Sequence, residues 1–167
     1  EVGKDVDNIS FNKKVVVSGN SVVVGNETIE LKSAVYTMQG EYVYGFFSSQ
    51  EGLTTMEAII ESPKYLMVAM SPDLLAENVN FKNFDTEFAD NYFLITYVDN
   101  VKLKEEGDDY EPVSIASDDW EDYCADGSLY MDFEDDNLVM NFSIEPNDGV
   151  EAFAGSYKGA YTIPASN

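Results

Sequence analysis

The chain has 167 residues, with 32 acids against 9 lysines, no arginine, no histidine and one cysteine, for a formal charge of −23. These counts exclude imidazole-based nucleophile systems, imidazole metal sites, guanidinium forks for phosphate, intrachain disulfides and thiolate clusters. Nucleic acid is excluded as a partner too, because it binds by exchanging counterions for basic side chains that this chain lacks.

The length suits one domain. Apolar residues make up 44%, and 10 Phe, 11 Tyr and 1 Trp are enough to build a core rather than an acidic disordered tail. No apolar run approaches the ~20 residues of a spanning helix, and no charged-then-apolar leader opens the sequence. The expectation is therefore a cytoplasmic chain or a mature, trimmed product. Charge is uneven: residues 1–104 carry fifteen acids and eight lysines, whereas 105–151 carry seventeen acids and no lysine.

The pattern along the chain has period two, which predicts strands. Val15–Ser18 leads through Gly19-Asn20 into Ser21–Val24, then through Gly25-Asn26 into Glu27–Leu31. Each Gly-Asn pair is a turn signal between β-branched runs. Ala34–Met38 and Tyr42–Phe47 flank Gln39-Gly40-Glu41, with Tyr42, Tyr44 and Phe46 on one face. Tyr65–Met70 and Tyr92–Val98 are nearly continuous apolar runs, as in strands covered on both sides. Asp99-Asn100 then reads as a turn into Val101–Lys104, whose alternating lysines suit an exposed face or an edge. Leu129, Met131 and Phe133 alternate before the acidic turn Glu134–Asn137, and Leu138, Met140, Phe142 and Ile144 alternate after it. Phe153, Tyr157, Tyr161 and Ile163 are in phase on a third arm, with Gly155 and Gly159 marking bends or close backbone approach.

Helical signals are short. Thr54 and Glu57 have capping-box spacing ahead of Met56–Ile60, and Ser71-Pro72-Asp73 suffices for one turn. Ser117–Cys124 reads as a two-turn helix ended by Gly127.

Paired carboxylates are the catalytic apparatus that remains. Asp118, Asp119, Glu121 and Asp122 surround Trp120 and Tyr123, so a carboxylate glycosidase is a distant reading, but no opposed pair is singled out. No catalytic residue is assigned, and the expectation is a non-enzyme in which Trp120 and Tyr123 contact a ligand or partner. Calcium is the one cofactor with candidate ligands. Asp132, Glu134, Asp135 and Asp136 crowd one turn with Asn137, and Glu105, Glu106, Asp108, Asp109 and Glu111 crowd another. The first lacks the glycine and terminal glutamate of an EF-hand loop. Cys124, set among acids, reads as a buried structural thiol.

Three stretches carry a resemblance: Tyr44-Gly45-Phe46-Phe47-Ser48-Ser49 with Gly52-Leu53; Tyr65–Pro72; and Gly127–Met131 with Leu138, Phe142-Ser143 and Gly155–Gly159. On these, the chain resembles uncharacterised β-rich lipoproteins secreted by Bacteroidetes-type gut bacteria. The resemblance implies an extracytoplasmic domain at the cell surface or periplasm-facing outer membrane. It also implies a lipid anchor on a cysteine upstream of Glu1, and it carries no catalytic residues to transfer. Residues 1–12 then form a stalk and 13–167 a single all-β domain, a sandwich or partly open barrel of eight to ten strands with one or two short helices. The expected function is a binding or interaction module for a protein or glycan. The alternative is a calycin-like barrel holding an apolar ligand or glycan. A module of the first kind needs an exposed apolar or aromatic patch larger than several hundred Å², on the order of what marks an interaction site, and a carrier needs a pocket of roughly 300–1,000 Å³.

Overall fold

The computed structural model describes residue 17 and residues 19–164. Most of the expected first strand, Val15–Ser18, and the stalk lie outside the described residues.

Two antiparallel sheets pack face to face as a β-sandwich. The six-stranded sheet has the order β2 (Glu27–Glu30), β1 (Ser21–Val24), β11 (Phe153–Gly159), β10 (Asn137–Pro146), β9 (Cys124–Glu134), β6 (Val79–Asn80). The five-stranded sheet runs β3 (Ser33–Gln39), β4 (Tyr42–Ser48), β5 (Lys64–Met70), β7 (Phe93–Asp99), β8 (Val113–Ala116). Three short helices lie in the connections of the second sheet: α1 (Met56–Glu61), α2 (Phe84–Glu87) and α3 (Asn100–Glu106). The eleven strands among the described residues exceed the expected eight to ten because β6 has two residues and β8 only four, too short to show a period.

Alternation explains the core. Val22, Ile29, Leu129, Met131, Leu138, Met140, Phe142, Phe153 and Tyr157 come from one sheet, and Phe47, Leu66, Val68, Phe93, Ile95 and Ile115 from the other. Their side chains fill the space between the sheets, each contributing about 1.5–3 kcal/mol by leaving water. Two inward-facing glycines leave room that a Cβ would take. A Cβ on Gly45 would stand 2.9 Å from Met131 Sδ of the opposite sheet, and one on Gly155 2.5 Å from the ring of Phe142, its cross-strand partner in the same sheet. The six-stranded sheet turns its other face to solvent with Tyr130, Asp132, Asn141, Ser143 and Lys158, all exposed or half-buried.

The β9–β10 hairpin closes through Asp135 and Asp136, both left-handed at φ 51° and 68°. Two successive left-handed residues form the turn whose twist matches that of antiparallel strands.

Three expectations are corrected. Val101–Lys104 is helical: the Asp99 carboxylate accepts from the Val101 and Lys102 backbone N–H groups, and this capping overrides a four-residue alternation. Helix α1 is capped by Thr55, whose hydroxyl accepts from Ala58 N–H at 3.1 Å, one residue later than the Thr54 spacing suggests. The acidic segment before Gly127 forms only the single turn Trp120–Asp122. Cys124 already begins β9, and Gly127 lies inside that strand beneath the ring of Phe81.

One buried group is poorly matched to its surroundings. Tyr97 is 3% exposed, and its hydroxyl has no hydrogen-bond partner among the described residues. Burial first, then the carboxylates of Asp99 and Glu27, push its phenol well above the usual tyrosine range. Tyr97→Phe removes an unsatisfied polar atom and keeps the ring. It is expected to stabilise the fold by about 1 kcal/mol, measurable as a higher urea midpoint with an unchanged slope.

Candidate functional site

The two faces of the five-stranded sheet are both rich in apolar residues, but only the inner one is fully covered. On the outer face, Val35, Phe46 and Ile59 form a small second core together with Tyr44, Leu53, Met56, Tyr65 and Met67. The lid on that core is α1, held down by a buried chain of hydroxyls. Ser48 and Ser62 share a hydrogen bond at 2.7 Å, and Ser62 Oγ donates to Ile59 O.

Beyond α1 the face continues as a tyrosine surface. Strand alternation sends Tyr42, Tyr44 and Phe46 outward while Val43 and Phe47 face the core. Register sets Tyr44 opposite Ala69, and Ala69 opposite Leu94. The Tyr42 and Tyr92 rings meet at 5.4 Å, tilted by 52°, and Tyr44 stacks on Phe46 at 5.8 Å. Tyr42, Tyr44, Tyr65, Met67, Tyr92 and Leu94 are all half-buried. The phenols sense one another and the rim. Burial first, then Asp118, Tyr42, Asp119 and Tyr44, push the Tyr92 phenol upward.

The acidic turn that singled out Trp120 and Tyr123 is divided among three places. Asp118 and Asp119 border the tyrosine surface, and Asp119 Oδ1 accepts from Ala116 N–H at 2.8 Å. Trp120 turns inward, half-buried, with its ring 5.7 Å from that of Phe81. Tyr123 is exposed and lines a cleft of about 590 Å³ between β8 and the β10–β11 loop. Sequence alone put Trp120 and Tyr123 together; the structure separates them.

That cleft has a floor of Ile115, Ile144 and Phe153, with Glu111 and Glu151 at its mouth. Both acids are exposed. Neither sits in the apolar burial that a glycosidase uses to keep an acid protonated. A second groove, about 830 Å³, runs along the edge strand β3 between Met38, Met56 and Ile163. Both hollows open outward. The space between the sheets, where a calycin would hold its ligand, is filled by side chains such as Phe47, Phe93, Phe153 and Met70, at 0–1% exposure.

The four calcium candidates are not brought around one point. Asp132 lies on the outer face of the six-stranded sheet and accepts from Tyr130 Oη at 3.2 Å. Glu134 faces Lys158 Nζ at 3.7 Å, while Asp135 and Asp136 form the exposed hairpin tip. Among the described residues no three acidic or cysteine side chains form a group that could hold a metal. Glu105, Glu106, Asp108 and Asp109 are spread over α3 and the turn after it. Cys124 is buried, its S–H donates to Trp120 O, and burial with nearby Asp126 and Glu145 pushes its thiol up to about 11. Such a thiol is protonated and a poor nucleophile at neutral pH.

No family model, no curated protein and no solved structure matches the chain. Among the described residues no helix is long and apolar enough to cross a membrane.

Proposed function

We propose that this domain is a non-enzymatic binding module that works outside the cytoplasm and receives a glycan or protein partner on the outer face of its five-stranded sheet. One observation supports the site. Strands β5 and β7 have the composition of strands covered on both sides, yet α1 covers only one end of that face. Tyr42, Tyr44, Met67, Tyr92 and Leu94 are left half-exposed next to one another. The other sheet's outer face is polar, so the apolar patch is specific to one side. Aromatic residues at the water boundary offer large contact area at low entropic cost, which is why they concentrate at recognition surfaces. The extracytoplasmic location is supported by the resemblance to secreted lipoproteins.

The test is an array of host and bacterial glycans and extracellular proteins probed with the labelled domain. We expect saturable binding to one class of ligand. The double substitution Tyr42→Ser and Tyr92→Ser should weaken it on the order of 100-fold, as expected for two aromatic anchors, with the folded state retained by far-ultraviolet dichroism at the assay temperature. Equal binding by the variant, or no ligand on the array, would remove the reading. Cleavage by external protease on intact cells tests the location.

A further inference from the structure

The cleft beside β8 is separate from the tyrosine surface and has a different character. Its floor, Ile115, Ile144 and Phe153, is the edge of the main core, reached from outside through the gap between the two sheets. Its volume of about 590 Å³ is that of a small-molecule site.

The edge strand facing the cleft offers one free backbone pair. Ser117 N–H donates across to Phe93 O, so Ile115 and Ser117 turn their backbone groups toward β7, and Ser114 and Ala116 turn theirs away. Both outward groups of Ala116 are taken by Asp119, its N–H by the carboxylate and its C=O by the Asp119 N–H. Among the described residues nothing takes those of Ser114, which lines the cleft. Pro112 has no N–H to extend this edge, so the free pair suits a short polar group rather than an added strand.

The charge at the mouth is one-sided. Glu111 and Glu151 both line it, no lining residue is a cation, and the sequence from 105 to 157 contains no lysine. A carboxylate ligand would be repelled, and a hollow walled by apolar side chains concentrates the field of its rim acids.

We propose that this cleft binds a small amphipathic amine, its apolar body on Ile115, Ile144 and Phe153 and its ammonium at the acidic mouth beside Glu111, where the Glu151 carboxylate, seated over Gly25, adds to the negative field. The amine's remaining polar groups meet the free backbone pair of Ser114. Tyr123, at the rim, offers its ring to the cation.

Titration of the full chain with 2-phenylethylamine, 2-phenylethanol and 3-phenylpropionate, followed by calorimetry and amide chemical shifts, tests this. The expected result is saturable binding of the amine, at least about tenfold weaker binding of the alcohol, and none of the acid. Glu111→Gln with Glu151→Gln should bring the amine to the level of the alcohol at an unchanged melting temperature. Val150→Trp, which fills the cleft from the exposed loop, should abolish both. An alcohol that binds as tightly as the amine overturns the proposal, as does a double-Gln variant that keeps the amine's affinity. Shifts confined to Tyr42, Tyr44 and Tyr92 would overturn it by placing the amine on the tyrosine surface. The Tyr42→Ser, Tyr92→Ser variant should bind the amine normally, so failure of either site leaves the other standing.

Discussion

Phe81→Ala is expected to destabilise the domain by about 3–5 kcal/mol, the range for removing a buried aromatic ring and leaving a cavity. Phe81 is 1% exposed, yet it comes from no long strand: it starts a single turn between β6 and α2. Its ring stacks on Phe93 at 4.7 Å and 21°, meets Trp120 at 5.7 Å and covers the backbone of β9 at Gly127. It therefore joins a strand of each sheet and the acidic turn. At about 2–4 °C per kcal/mol for a chain of this size, the melting temperature should fall by about 6–20 °C. The sole tryptophan supplies a second readout: Trp120 loses a ring neighbour, so its native emission should shift to the red. A fall under about 1 kcal/mol would show that the crossover segment is not part of the core.

The complementary change acts from the other side of the same contact. Gly127→Val is expected to cost about 1–3 kcal/mol or slightly more, the penalty for overfilling a packed site. A Cβ at Gly127 would stand 2.5 Å from the Phe81 ring and 3.0 Å from the Ser143 carbonyl oxygen. The ring can turn, but the carbonyl belongs to the neighbouring strand β10 and cannot move without disturbing the ladder. In a double-mutant cycle with Phe81→Leu, part of the loss should return, because the two positions compete for one volume. Additive losses in denaturant unfolding would show that the clash lies with the backbone alone.

The long alternating segments were legible from the start. Leu129–Phe133 and Leu138–Ile144 form β9 and β10 paired around the acidic turn, and Phe153–Tyr157 joins them as β11. Period two is strong there because one face is solvated and the other buried. Val101–Lys104 was misleading for want of length: four alternating residues fit a strand, but the Asp99 cap lies outside that window. The site was half legible. Tyr42, Tyr44 and Phe46 on one face can be read from spacing alone. That Tyr92 comes against Tyr42 depends on β5 lying between β4 and β7, an arrangement with no local signal. Nor could the sequence show that the apolar runs of β5 and β7 lie under a helix that covers only part of their outer face. The split of Trp120 from Tyr123 follows from a tight turn replacing the expected two-turn helix.

The order of strands carries a consequence for how the molecule assembles. The five-stranded sheet is made by neighbours in sequence, each strand pairing with the next to be synthesised apart from the two-residue β6. The β1–β2 hairpin instead waits for β11, and Asn20 reaches Lys158 across 138 positions of chain through a pair of hydrogen bonds. Closing so long a loop before its contacts can repay the entropy is what slows β-rich folding. Nucleation is thus expected in the sequential strands of the five-stranded sheet, with the β1–β2 hairpin among the last to dock.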